Sequence, residues 1–232
     1  MSVPAPGNDD PAGSPSEVVS RYLEAIYYIW AEGEVVRSSR LADWLGVSRP
    51  TVTLALQRMT RDGLVSLNAG KEIRLTESGL SAATTIVRRH RIVERWLTDV
   101  LGLDWVDADE EAARLEHSIS ERVETQLFES LGRPTSCPHG NPIPGHSEPD
   151  PNEVRLSEVS TGWKGRVSRI SEVAEREAPT LLAYLSEHAL VPRALVRVLE
   201  SDPRRATVTV EVEERSQTLD LDAVAKVWVV PS

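Results

Sequence analysis

The chain has 232 residues, 40% of them hydrophobic, and a formal net charge of −10. That length holds one or two small domains plus tails, and the acidic balance excludes a uniformly basic nucleic-acid binder. A single cysteine, Cys137, excludes an internal disulfide framework and any four-cysteine zinc site, and no uninterrupted apolar run approaches membrane-spanning length.

The opening stretch MSVPAPGNDDPAGSPS has neither a basic start nor an apolar core, so no secretory signal is expected and a cytoplasmic location fits. Residues 1–15 bury too little apolar surface to order themselves and form a tail. From there Val19, Tyr22, Leu23, Ile26 and Trp30 recur at helical spacing, with Ser16 as the expected cap and Gly33 as the stop. A short amphipathic helix over Ser38–Leu45 stops at Gly46. Ser48 caps a second helix with Pro50 in its first turn and Val52, Leu56 and Met59 on its buried face. Helix, glycine turn and capped helix make a helix-turn-helix. Two short alternating runs, 63–67 and 72–75, flank an Asn/Gly turn and predict a β-hairpin, which directly after a recognition helix is a wing.

Charge supports that reading. Between Val35 and Leu75 stand seven basic residues and three acids, so the segment is net positive by four on an acidic chain. A local basic face of this kind suits phosphate contact. Ser48, Arg49, Pro50, Thr51 and Thr53 open the recognition helix and are the candidates for groove contacts, with Arg37, Lys71 and Arg74 beside them on the basic face.

Thr76 caps a long helix that runs to Leu101. A second helix is expected from Asp107, with Glu110 three residues on, to the Gly132/Pro134 stop. His90 and Glu94 lie four apart on one face of the first; Asp109, Glu116 and His117 fall on one side of the second. Imidazole and carboxylate groups converging between two helices suit a borderline divalent metal. The competing reading makes His90 and His117 interface or surface residues. Both helices also carry apolar stripes: Ile86, Val93, Leu97 and Leu101, then Ala112, Leu115, Ile119, Val123 and Leu127, as a subunit interface requires. Cys137 and His139 sit in a run of breakers, 137–145, and with no second cysteine pair nearby that run is taken as an ordered loop. Residues 146–153 form a linker. From Val154 the pattern turns to short strands at 167–170, 207–212 and 226–230, with one helix at about 179–187, which predicts a small β-barrel over 154–232.

The sequence carries Tyr22-Leu23-x-x-Ile26-Tyr27, Arg89-His90-Arg91-x-x-Glu94-Arg95, Leu115-Glu116-His117 and Gly140-Asn141-Pro142-Ile143-Pro144-Gly145. With these motifs, the order winged helix (16–75), helical pair (76–145), linker and small barrel resembles the diphtheria toxin repressor family of bacterial iron- or manganese-dependent transcription regulators. The resemblance implies a mainly α fold with a β module: a winged helix-turn-helix, a helical dimerisation and metal-binding domain, and a C-terminal SH3-like (FeoA-like) barrel. It implies one metal site at His90, Glu94 and Asp109, closed from the barrel by Glu172 and Glu175. This carboxylate-rich set favours Mn2+ or Fe2+, with Zn2+ or Co2+ as substitutes in vitro. It implies a second, switching site at which Glu24, Glu116 and His117 match the family. Arg21 and Ala113 stand there where the family has metal ligands, so this second site is degenerate.

The function expected is a dimeric, sequence-specific repressor of metal-homeostasis genes, bound to a near-palindromic operator on double-stranded DNA. Leu54 stands where family members carry a glutamine, so the preferred sequence differs accordingly. One alternative keeps the family but removes the metal requirement, with Arg21 paired to Glu116 in place of the switching ion. A distant alternative is a metallohydrolase using His90, Glu94, Asp109 and His117. It lacks a His-Glu-x-x-His arrangement and a phosphate-binding glycine loop.

Overall fold

The computed structural model describes residues 15–173 and 179–232. The expected tail, except for residue 15, and Glu175 lie outside the described residues. The first helix, α1 (Glu17–Ala31), turns Leu23, Ile26 and Ile29 to the interior. Ser16 takes the N-cap position, but its side chain accepts no hydrogen bond, so the expected cap is not made. The second, α2 (Ser38–Leu45), ends at Gly46 in the left-handed region (φ 64°). Ser48 Oγ then accepts the Thr51 N–H at 3.3 Å and opens α3 (Arg49–Arg61), with Pro50 in its first turn. Val52, Leu56 and Met59 pack under α2 and α1 against Leu41, Trp44 and Leu23. Each such side chain contributes about 1.5–3 kcal/mol by burial. Strands β1 (Val65–Leu67) and β2 (Ile73–Leu75) pair antiparallel, Val65 opposite Leu75, and form the wing.

Thr76 caps α4 (Glu77–Asp99): its Oγ1 accepts the Gly79 N–H at 3.0 Å and donates to Gly63 O at 2.6 Å. The helix expected to run unbroken from Asp107 to Gly132 is two helices, α5 (Trp105–Leu115) and α6 (Glu121–Ser130). The cap is also three residues earlier than expected: Asp104, not Asp107, accepts the Val106 and Asp107 N–H groups, both at 2.9 Å. Ser120 caps α6 in the same way through Val123. Helical spacing continues across the break, which is why the apolar pattern reads as one helix, but each capping residue ends one hydrogen-bond ladder and starts another. Val93 and Leu97 of α4 pack on Ala108 and Ala112 of α5, whereas Val100, Leu101, Leu115 and Val123 remain exposed.

Beyond the linker, β3 (Val154–Arg155), β4 (Lys164–Ile170), α7 (Pro179–Glu187), β5 (Leu195–Asp202), β6 (Thr207–Val212), β7 (Arg215–Asp220), a single turn α8 (Leu221–Val224) and β8 (Val227–Pro231) build a six-stranded antiparallel sheet. Its order is β3-β8-β4-β5-β6-β7, curled around Val196, Val198, Val208, Val210, Val227 and Val229 as an SH3-like barrel. Three of its strands lie outside the runs expected from the sequence: the two-residue β3, β5 and β7. In β5 the alternation that buries Val196 and Val198 stops at a register shift between Val198 and Glu200. In β7, an edge strand, only Leu219 is buried. A bulge and a polar edge both erase the period-two signal. No helix among the described residues is long and apolar enough to cross a membrane.

Candidate metal centre and DNA-binding face

Between α1, α4, α5 and the start of the barrel lies a small cavity of about 40 Å³. It is lined by Glu24 and Tyr28 from α1, Trp44 from α2, His90 and Glu94 from α4, Asp109 and Ala113 from α5, and Glu172. Four carboxylates and one imidazole thus surround a space the size of one or two water molecules. The helical periodicity of α4 brings His90 and Glu94 to this face, and Asp109 reaches it from the first turns of α5.

His90, Glu94, Asp109 and Glu172, four of the five residues expected to share one site, all reach this cavity, but their polar atoms do not form one cluster. His90 Nδ1 lies 2.8 Å from Glu116 Oε2, and its Nε2 lies 3.2 Å from Asp109 Oδ1. Burial works against a charged His90, but the hydrogen bonds to Asp109 and Glu116 prevail and hold its pKa well above the usual histidine value. Glu24 receives the Tyr28 hydroxyl at 3.1 Å, and ligand atoms of Glu24, His90 and Glu116 all lie within 4.8 Å of one another. Glu94 faces the other way, toward the loop at 137–145. Its Oε1 is 2.6 Å from His139 Nδ1, yet the alignment makes no hydrogen bond and that buried oxygen has no other hydrogen-bond partner. Glu94, Cys137 and His139 form a second buried set within 4.8 Å. Burial first, then the Glu94 carboxylate, pushes the Cys137 thiol up to about 11. Glu172 receives both Nε (2.9 Å) and Nη2 of Arg91. Burial still raises the Glu172 pKa despite that pairing.

Two expectations change. Cys137 and His139 are not merely an ordered loop: they meet Glu94 from 43 and 45 residues away. The only local signal was the Cys-x-His spacing itself. And Arg21 is not the internal cation. It is exposed, while Glu116, 2% exposed, has its oxygens beside His90 (2.8 Å) and His117 (3.2 Å). The basic side chains buried among these carboxylates are His90 and Arg91, supplied by α4. Ala113 lines the cavity and offers no side-chain ligand.

The residues present fit a divalent ion. A buried carboxylate oxygen without a hydrogen-bond partner, two buried donor sets, one of N and O and one of N, O and S, and a cavity ringed by acids are costly to leave uncompensated. Both sets contain borderline or hard donors that suit manganese, iron or zinc.

The DNA-binding candidates Arg37, Ser48, Arg49, Pro50, Thr51, Thr53, Lys71 and Arg74 are all exposed. Ser48 and Thr51 are joined hydroxyl to hydroxyl at 2.7 Å, and Thr53 donates to Arg49 O at 3.0 Å. Arg37 reaches across to the wing, donating to Gly70 O at 3.2 Å, and Glu72 lies between Arg37 (3.9 Å) and Arg74 (3.5 Å). Among the described residues, the charged candidates Arg49 and Lys71 have no such partner, and Leu54 of the same recognition helix is 67% exposed.

Three family descriptions match consecutive parts of the chain. Residues 16–72 match the N-terminal DNA-binding domain of iron-dependent repressors, 76–145 their metal-binding and dimerisation domain, and 154–231 the FeoA domain. The iron-dependent repressor IdeR of Mycobacterium tuberculosis is 36% identical over 209 residues, spanning 85% of this chain and 90% of that protein. The diphtheria toxin repressor of Corynebacterium diphtheriae is 40% identical over 170 residues, 69% of this chain and 75% of that one. Among solved structures, a manganese-dependent transcriptional repressor in complex with manganese superposes with a TM-score of 0.83 at 31% identity, covering 92% of this chain and all of the other.

Proposed function

The chain belongs to the iron-dependent repressor family, and we propose from that membership that it is a dimeric transcription regulator binding a near-palindromic operator under the control of a divalent ion, Mn2+ or Fe2+. The observation that carries the metal half of this reading is the ring of Glu24, His90, Glu94, Asp109 and Glu172 around one 40 Å³ cavity. When bound, a divalent ion adds positive charge to a cluster in which Arg91 directly offsets only Glu172. Glu24, His90 and Glu116 would hold one ion, with Asp109 beside His90. Glu94, Cys137 and His139 would hold another. Glu24 belongs to α1, whose opposite face is the core of the winged helix through Leu23, Ile26 and Ile29. Fixing Glu24 against His90 and Glu116 therefore fixes the DNA-binding unit against α4 and α5. The exposed apolar residues Val100, Leu101, Leu115 and Val123 of the helical unit supply the second subunit's contact.

On the DNA side, Arg49 at the N-terminus of α3 is free to contact base or phosphate. The Arg49→Ala dimer is expected to bind a duplex selected by the wild-type protein from a random pool more weakly by about 1–3 kcal/mol if the contact is to a base. Fluorescence anisotropy at two salt concentrations checks this. Equal affinities for mutant and wild type remove Arg49 from the interface, and a wild-type protein that selects no sequence at all removes the regulator reading.

A further inference from the structure

The barrel touches the DNA-binding unit at one buried polar joint that no metal set includes. Glu32, the residue closing α1, is 6% exposed. Its Oε1 accepts Arg169 Nη1 of β4 at 2.7 Å, and its Oε2 accepts Trp228 Nε1 of β8 at 3.0 Å. Arg155 of β3 donates to the Glu32 backbone oxygen at 3.0 Å and lies 3.6 Å from its carboxylate. The two guanidinium groups also pack on the Trp228 ring, with Cζ 4.6 Å (Arg155) and 4.3 Å (Arg169) from the ring centre. Arg169 is held in turn by Glu153 Oε2 at 2.8 Å and Asn141 Oδ1 at 3.3 Å, and Arg155 by Ala225 O at 2.7 Å. Both arginines therefore stay oriented by the barrel and its approach loop, and the one anion that α1 inserts between them is Glu32. Two cations lie against this joint, with Glu153 as the other acid, so removing Glu32 leaves Arg169 buried with a single carboxylate partner.

The position of this joint on α1 matters more than its strength. Glu24 and Glu32 are eight residues apart, about two turns and 12 Å along the same helix. One end of α1 is set by the barrel through Glu32; its middle faces the metal sets through Glu24. Val173, at the start of the segment that follows β4, packs into the α1 core as a second barrel contact.

We propose that Glu32 is a positioning residue for metal and operator binding: by docking the barrel on the end of α1 it holds that helix where Glu24 meets His90 and Glu116. The inference rests on the metal-responsive reading above. Barrel docking and metal binding then favour the same placement of α1, so each strengthens the other, and linkage requires the effect to be reciprocal. The barrel acts as a second, metal-independent input to DNA affinity through a helix it shares with the metal centre.

The test uses the full-length dimer and three measurements: Mn2+ affinity by calorimetry, affinity for the duplex selected by the wild-type protein in chelator and in saturating Mn2+, and backbone hydrogen exchange. Glu32→Ala is expected to bind Mn2+ roughly 5- to 50-fold more weakly, the range of typical coupling between sites. The Mn2+ concentration for half-maximal duplex binding should rise by a similar factor. Exchange should quicken at the end of α1 and in β3, β4 and β8, while α3 keeps its wild-type protection, which separates a lost position from a lost fold. Glu32→Gln, which keeps one acceptor, should fall between wild type and Glu32→Ala in every readout, and it serves alone if the alanine variant does not fold. Faster exchange in the barrel with Mn2+ and duplex affinities within twofold of wild type overturns the proposal. So does unchanged exchange in both variants. If wild-type duplex binding is indifferent to Mn2+, the metal-responsive reading fails instead. The Glu32 inference is then judged on duplex affinity in chelator, which must still fall in the variants.

Discussion

The near-isosteric double change Glu94→Gln, Cys137→Ser is expected to remove one of the divalent ions bound per subunit. Both side chains are buried and meet His139 within 4.8 Å, and the substitutions keep their volume while replacing a carboxylate and a thiol by weak neutral donors. Loss of an outer partner alone lowers metal affinity about 10–100-fold, so loss of two direct ligands should weaken this set by at least ~100-fold. Calorimetric titration with Mn2+ and with Zn2+ gives the count and the affinity. A consequence should appear elsewhere in the molecule. The loop carrying Cys137 and His139 is laced to β4, with Ile170 N donating to His139 O at 2.9 Å and Asn141 Nδ2 donating to Ile170 O at 3.0 Å. An ion on Glu94, Cys137 and His139 therefore links α4 to the barrel. In the wild type, metal should slow hydrogen exchange in β4 and β8; in the double variant that slowing should vanish. Full stoichiometry in the variant contradicts this assignment.

The second large effect is on stability. Gly140 turns the loop at φ 88°, against the backbone of β4; a Cβ there would lie 2.2 Å from Ser168 O and 2.9 Å from Arg169 Cα. Alanine meets two penalties: about 1–2 kcal/mol for a left-handed non-glycine backbone and about 1–3 kcal/mol for an overlap that only backbone movement relieves. Gly140→Ala should therefore lose roughly 2–5 kcal/mol, a large fraction of the ~5–15 kcal/mol available to a folded domain. The loop must move off β4, which also separates Asn141 from Arg169 and His139 from Glu94. Chemical denaturation checks the loss in metal-free protein, where no ligand masks it. A change below about 0.5 kcal/mol means that the loop does not press on β4 as described.

Local signals carry the winged helix well. Gly46 and Ser48 mark the turn through backbone geometry and capping, and Val52, Leu56 and Met59 keep strict helical spacing, so α2, α3 and the wing are legible residue by residue. The pair His90 and Glu94 is legible for the same reason. What is not legible depends on partners distant in the chain. Cys137 and His139 become candidate ligands only because a glycine allows their loop to lie between α4 and β4. Glu32 ends a helix like any polar residue; its partners Arg169 and Trp228 are 137 and 196 residues away. The expected Arg21–Glu116 pair fails for a related reason: position in a family pattern does not give the outward rotation that leaves Arg21 in solvent while α4 places His90 against Glu116. The break between α5 and α6 was hidden because apolar spacing continues through it, although Asp104 and Ser120 were both available as caps.

The central claim is that a divalent ion in the cavity ringed by Glu24, His90, Glu94, Asp109 and Glu172 controls DNA affinity through α1. The most direct measurement is the affinity of the wild-type dimer for its selected duplex, first in excess chelator and then at rising Mn2+, repeated with His90→Gln. The wild-type affinity should rise by roughly 5- to 150-fold across the titration, and His90→Gln should stay near the chelated value at every Mn2+ concentration. Equal wild-type affinity in chelator and in saturating Mn2+, or a His90→Gln response the same as wild type, contradicts the account.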